Sequence, residues 1–107
     1  MITACITLHG GSAKRMEILQ TLKGIKDQLD KKTGCRQARI YQDADDESKF
    51  FFVEDWPGEK DLDEYFSSGL FKVLLGLNSI LEESLEVRVF GFFARVWCVT
   101  SLPVILE

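Results

Sequence analysis

Lys49-Phe50-Phe51-Phe52-Val53-Glu54-Asp55-Trp56 runs into Pro57-Gly58, and beyond it Leu62, Tyr65, Phe66, Leu70, Phe71, Leu74 and Leu77 recur at close to helical spacing. The first eight residues are aromatic-rich and bounded by turn formers, the pattern of a strand. The second run is that of an amphipathic helix, with Ser67-Ser68-Gly69 placed to break it into Glu59 to Ser67 and Leu70 to Glu83. A strand that ends in tryptophan and turns straight into such a helix puts one large ring where sheet and helix meet. That junction is the candidate ligand pocket. Phe50 and Phe52 alternate with Phe51 and Val53, so both faces of the strand are apolar and both are expected to be covered.

Upstream, Ile2, Ala4, Ile6 and Leu8 alternate with Thr3, Cys5 and Thr7, the period of a half-buried strand. His9-Gly10-Gly11 ends it. From Ala13 to about Lys32 the stripe Ile18, Leu22, Ile25, Leu29 predicts a helix of about five turns, with Ser12 before it and Gly34 after it. Cys35 to Gln42 reads as a second strand, with Ala38 and Ile40 on one side and Arg39 and Tyr41 on the other. The acidic stretch Asp43 to Glu47 reads as an exposed turn. Downstream, Leu85, Val87 and Val89 alternate with Glu86, Arg88, Phe90 and Phe92 in a fourth strand that reads as long, its apolar residues persisting to Val99. Pro103 leaves Val104 to Leu106 as an edge or tail.

The order is β-α-β-β-α-β, the ferredoxin-like α+β arrangement of an antiparallel sheet with helices on one face. The uncovered apolar face would be a large exposed patch, and a two-fold homodimer joined sheet to sheet removes it. Residues 1–94 form the domain. Residues 95–107 form a C-terminal extension, expected to lie as an arm on the neighbouring subunit.

A chain of 107 residues with 46% hydrophobic and 11% aromatic residues is one folded domain with its own core. Its net charge of −4 excludes a broad basic surface for nucleic acid. Lys23, Lys26, Lys31 and Lys32 are interleaved with Asp27 and Asp30 and read as a solvated helix face. Cys5, Cys35 and Cys98 are odd in number and widely spaced, so neither a metal site nor a disulfide framework is expected, only reduced, buried thiols. No run approaches the roughly 20 apolar residues of a membrane span, and Met1 to Leu8 lacks the marks of a signal peptide. A cytoplasmic protein is the expectation.

With that order established, the stretch from Phe50 to Trp56 followed by Leu62-x-x-Tyr65-x-x-Ser68-x-x-Phe71 resembles the antibiotic biosynthesis monooxygenase family of dimeric α+β barrels. The likeness covers roughly Ile2 to Phe92. It implies an apolar pocket in each subunit that takes a small aromatic ligand. In the hydroxylating branch such a pocket oxygenates a phenol or quinol with dioxygen and no metal or flavin. A deprotonated, electron-rich ring supplies the electrons itself, so the protein need only bind, orient and remove a proton. Another branch opens haem oxidatively.

Trp56 matches the family tryptophan and is expected to wall the pocket. Tyr65 stands where the family usually has histidine, as an acid/base group or a core tyrosine. The family's pocket asparagine has no counterpart: Ala4 and Phe52 occupy the positions where it is found, and Asn78 is the chain's only asparagine. His9, the only histidine, is the one side chain with an ordinary pKa suited to proton transfer near neutrality. It is a candidate base or a solvated loop residue. Arg88 either binds an anionic substrate or pairs with Glu86 or Glu54. Phe71 and Leu74 complete the expected pocket lining. The reading is therefore a cofactor-independent monooxygenase acting through Trp56, Tyr65 and His9, or a non-catalytic ligand-binding or regulatory dimer.

Overall fold

The computed structural model describes the backbone of residues 1–32, 34–91, 95–99 and 103–106, and side chains of residues 1–31 and 34–91. Strand β1 (Ile2–His9) leads through a 3-10 turn, Ser12–Lys14, into helix α1 (Arg15–Lys32). Gly11 makes that corner with a φ of 70°, a conformation that favours glycine. Strands β2 (Gln37–Gln42) and β3 (Lys49–Trp56) form a hairpin, followed by helices α2 (Glu59–Phe66) and α3 (Gly69–Gly76). A second 3-10 turn, Leu77–Ile80, leads to β4 (Glu86–Phe90), and β5 (Arg95–Val99) and β6 (Pro103–Leu106) follow.

The sheet has the order β2-β3-β1-β4-β5-β6, and every neighbouring pair is antiparallel. Its first four strands with their helices are the ferredoxin-like α+β fold read from the sequence. Two details differ. The long fourth strand is two strands, because the chain turns after Phe90 and β5 folds back on β4 with Val87 opposite Trp97. The last helix stops at Gly76 and tightens into the 3-10 turn instead of continuing to Glu83. The apolar residues are right for either strand arrangement; alternation alone does not mark a reversal within one apolar run.

Period two decides what each strand buries. Ala4, Ile6 and Leu8 of β1, Phe50 and Phe52 of β3, and Leu85, Val87 and Val89 at β4 are all buried. They pack with the α1 stripe of Ile18, Leu22, Ile25 and Leu29 and with Leu62, Phe71 and Leu74 of the later helices. Each fully buried aliphatic or aromatic side chain contributes about 1.5–3 kcal/mol, so this face supplies most of the stability.

The opposite face carries Thr3, Cys5, Thr7, Phe51, Val53 and Arg88, with Tyr41 and Phe90 nearly half exposed. Cys5 and Cys35 are half-buried rather than buried, since Cys5 points to this outer face and Cys35 precedes β2. Phe92 and the side chains of Lys32 and Cys98 lie outside the described residues.

Candidate functional site

The parity that buries Phe50 and Phe52 also turns the next two even positions of β3, Glu54 and Trp56, toward the helices. Glu54 is 0% exposed and Trp56 1%. Glu54 has Ala4 opposite it on β1 and Ala38 opposite it on β2. These two small side chains leave room above the sheet for a carboxyl group and the rings over it.

Helix α2 supplies those rings. Gly58 precedes its first turn in an extended conformation, and Glu59 and Asp61 place negative charge at its N-terminal end. One helical stripe then buries Leu62 and Tyr65. The Ser67-Ser68-Gly69 break is built around Tyr65. Ser68 Oγ donates to the Tyr65 carbonyl at 2.6 Å and accepts from the Phe71 N–H at 3.2 Å, closing α2 and capping α3 with one hydroxyl.

Tyr65 therefore lies over the sheet with its ring stacked on Trp56, centroids 4.8 Å apart and planes at 30°. Phe71 meets Tyr65 edge-on at 5.3 Å, and Phe66 packs against both Tyr65 and Phe71. Both polar handles of this ring cluster converge on one carboxyl. Tyr65 Oη donates to Glu54 Oε2 at 2.6 Å, and Trp56 Nε1 donates to Glu54 Oε1 at 3.3 Å. Burial pushes the Glu54 carboxyl up to about 8, although both of these hydrogen bonds pull it down. Burial, followed by the nearby Glu54 charge, pushes the Tyr65 phenol well above its ordinary value. No described cation forms an ion pair with Glu54. The result is a titratable acid in a dry aromatic box, tied to a phenol.

The sequence-predicted residues divide between two places. Trp56, Tyr65 and Ala4 meet Glu54, Phe71 packs on Tyr65, and Phe52 precedes Glu54 on the same face of β3, between Ile6 and Ile40. Leu74 is buried in the same core. His9 is not with them: it lies opposite Lys49, at the other end of the β1–β3 pair from Trp56, and on the outer parity. Seven residues of strand separate the two ends, about 23 Å. His9 Nε2 is 2.8 Å from Asp46 and Nδ1 is 3.5 Å from Glu83. Beside it opens a cleft of about 360 Å³ lined by Thr7, Asp46, Lys49, Ser84 and Glu86 as well. Arg88 also faces away from Trp56 and pairs with Glu86 at 2.6 Å, the first of the two partners considered for it. Within one chain, neither His9 nor Arg88 can serve a site at Trp56.

Glu54 is the residue that reading the sequence passed over as a site residue. Its signal was parity, since it lies two residues from Phe52 and two from Trp56. Among the described residues no group of three or more His, Cys, Asp or Glu side chains could hold a metal ion, and no helix is long and apolar enough to cross a membrane.

Residues 1–75 match the model of the family described as antibiotic biosynthesis monooxygenase. The chain belongs to that family. The Glu54-x-Trp56 strand end and the Tyr65 helix both fall within the matched stretch. Solved structures agree on the antibiotic biosynthesis monooxygenase fold. A protein from Deinococcus radiodurans described as a putative antibiotic biosynthesis monooxygenase superposes with a TM-score of 0.77 at 16% identity, over 87% of this chain and 93% of that one. A conserved protein from Methanosarcina mazei gives 0.77 at 22% identity, over 83% and 89%. A Nitrosomonas europaea protein described in the same way as the first gives 0.76 at 15% identity, over 84% and 88%. At these identities the likeness is one of fold. No curated protein matches the chain.

Proposed function

We propose that this antibiotic biosynthesis monooxygenase family member is a monooxygenase-like oxidoreductase that oxidises a small phenol or quinol with dioxygen at the Trp56–Tyr65 box. The observation that supports this reading best is the meeting of Trp56 Nε1 and Tyr65 Oη on the buried Glu54 carboxyl. Flat aromatic walls suit a flat aromatic ligand, and a single group able to move a proton is the equipment that such chemistry asks of the protein. The substrate supplies all the electrons. A quinol that takes one oxygen atom into its ring and releases the other as water becomes a hydroxyquinone, with no external reductant.

The working unit is proposed to be a homodimer, in which Phe51, Val53, Tyr41 and Phe90 of the outer sheet face are covered by a second copy. Residues 95–107, whose two strands extend the sheet past β4, are proposed to complete that intersubunit surface. Light scattering tests the dimer: a mass near the chain's 12.2 kDa refutes it. Truncation after Ala94 is expected to weaken association.

Oxygen uptake with a panel of hydroquinones tests the activity, comparing the wild type with Trp56→Phe and Tyr65→Phe. Uptake that falls in either variant supports the enzyme. Ligand binding without oxygen consumption would favour a non-catalytic binding protein on the same fold.

A further inference from the structure

Among the described residues Glu54 is the one acid that is fully buried, and it has no cation to balance it. A carboxyl in such a place is costly to ionise, and replacing it with an apolar side chain would often stabilise a fold. Its surroundings nevertheless hold each oxygen in a separate task. The Trp56 N–H occupies Oε1, which leaves Oε2 to the Tyr65 hydroxyl at 2.6 Å. A phenol can donate to a carboxylate or accept from a carboxylic acid, so this contact survives in both protonation states. That is the geometry of a two-step proton path.

We propose that Glu54 is the terminal proton acceptor of this site, reached through the Tyr65 hydroxyl, and that the substrate is a neutral phenol or quinol. This deepens the functional reading above and rests on it. In the step itself the substrate O–H bond breaks as a new O–H bond forms on Tyr65 Oη. The original Tyr65 O–H breaks as one forms on Glu54 Oε2. The substrate is left as an electron-rich phenolate, and the negative charge has moved from Glu54 to the ligand ring. Tyr65 is unchanged at the end, and Glu54 acts through it as a positioning and proton-holding residue. Of the four rings, Phe66 is half-buried while Trp56, Tyr65 and Phe71 are buried, so the Phe66 side is the one the substrate is proposed to enter by.

The same electrostatics choose the ligand's charge. A carboxylate or phosphate ligand would meet Glu54 with no cation between them, so neutral hydroxyl donors are selected over anions. The titratable groups that influence Glu54 and Tyr65 are few. The Cys35 thiol, just before β2, is pushed up to about 11 by burial and then by the Glu54 charge, and stays neutral. Strands β1 and β2 present Ala4 and Ala38 to Glu54, and α3 presents Phe71 to Tyr65. The pH response of the site therefore belongs to Glu54.

The test follows two readouts over about pH 6 to about 10 in wild type, Glu54→Gln and Tyr65→Phe: hydroquinone-dependent oxygen uptake above the enzyme-free rate, and binding of 4-fluorophenol by fluorine NMR. The wild-type kcat/KM is expected to rise about tenfold per pH unit and level off as Glu54 ionises. Glu54→Gln is expected to lose about 10²-fold in kcat and to flatten the profile, with KM little changed. Tyr65→Phe should lose as much, and the double variant no more. Fluorophenol affinity should rise with pH in the wild type only, and benzoate should not compete. A folded Glu54→Gln protein with the wild-type pH profile in both readouts overturns the proposal and leaves the monooxygenase reading standing. Absence of oxygen uptake in the wild type removes that reading, and the fluorophenol profile then decides the proposal alone: a pH response lost in Glu54→Gln upholds it, and a flat or unchanged response overturns it.

Discussion

The two ends of the β1–β3 pair carry the same kinds of side chain and treat them in opposite ways. At the Trp56 end a carboxyl is sealed under rings, and burial pushes it up to about 8. At the His9 end Asp46 stands in water, accepts from the Ser48 hydroxyl at 2.7 Å and the Ser48 N–H at 3.0 Å, and is held below the usual carboxylate range. His9 sits between Asp46 and Glu83, with Nε2 facing the first and Nδ1 the second. The difference teaches that solvent access outweighs hydrogen-bond count. Both carboxyls accept two hydrogen bonds that lower their proton affinity, and Asp46 has His9 beside it as well, yet at Glu54 burial outweighs its two bonds and the proton affinities move apart. The dry end is where an acid can work near neutrality, and the wet end is a solvent-screened contact between an imidazole and two carboxylates.

The largest blow to that contrast comes from removing the ring that seals the dry end. Trp56→Ala is expected to cost about 3–5 kcal/mol in urea unfolding, whereas Asp46→Asn should cost less than about 1 kcal/mol. Equal losses at the two ends would break the comparison.

Close to it in size is the effect of pH on stability. Glu54 has a folded-state pKa raised above its unfolded value of 4.5. Between that value and about 8 the folded chain keeps a proton that the unfolded chain has released. Stability therefore falls as pH rises through this window, by on the order of 4–5 kcal/mol, and is flat across it in Glu54→Gln. Urea midpoints at a series of pH values check both the sign and the residue responsible. A wild type that gains stability through the window would show that the carboxyl is not dry.

Smaller again is Tyr65→Phe, which takes one donor from the buried carboxyl and should cost about 1–3 kcal/mol. Because the Tyr65 bond lowers the Glu54 value, its loss should push Glu54 higher still, which carbon NMR of the labelled carboxyl reads directly. The smallest effect belongs to the wet end. His9→Gln should shift the urea midpoint less than Tyr65→Phe does, and about half-molar salt should erase most of the shift. The same salt should leave the Tyr65→Phe loss intact.

Alternation and helical spacing were enough to place most of the fold, because burial of one face leaves a local periodic trace in the chain. Ile2 to Leu8, the α1 stripe and the Ser67-Ser68-Gly69 break were all legible in that way, and so was the Trp56 junction. The reversal after Phe90 was not, since a hairpin between two apolar strands reads as one long strand until the partner is known. The site itself needed the tertiary structure. Parity could turn Glu54 inward, but only packing brought Tyr65, eleven residues away, onto its free oxygen, and only the sheet register put Ala4 and Ala38 beside it. His9 met its carboxylates through loops far apart in sequence and was carried away from Trp56 by the length of a strand. Periodicity is a property of neighbours along the chain, whereas a shared proton depends on distances between residues that only folding brings together.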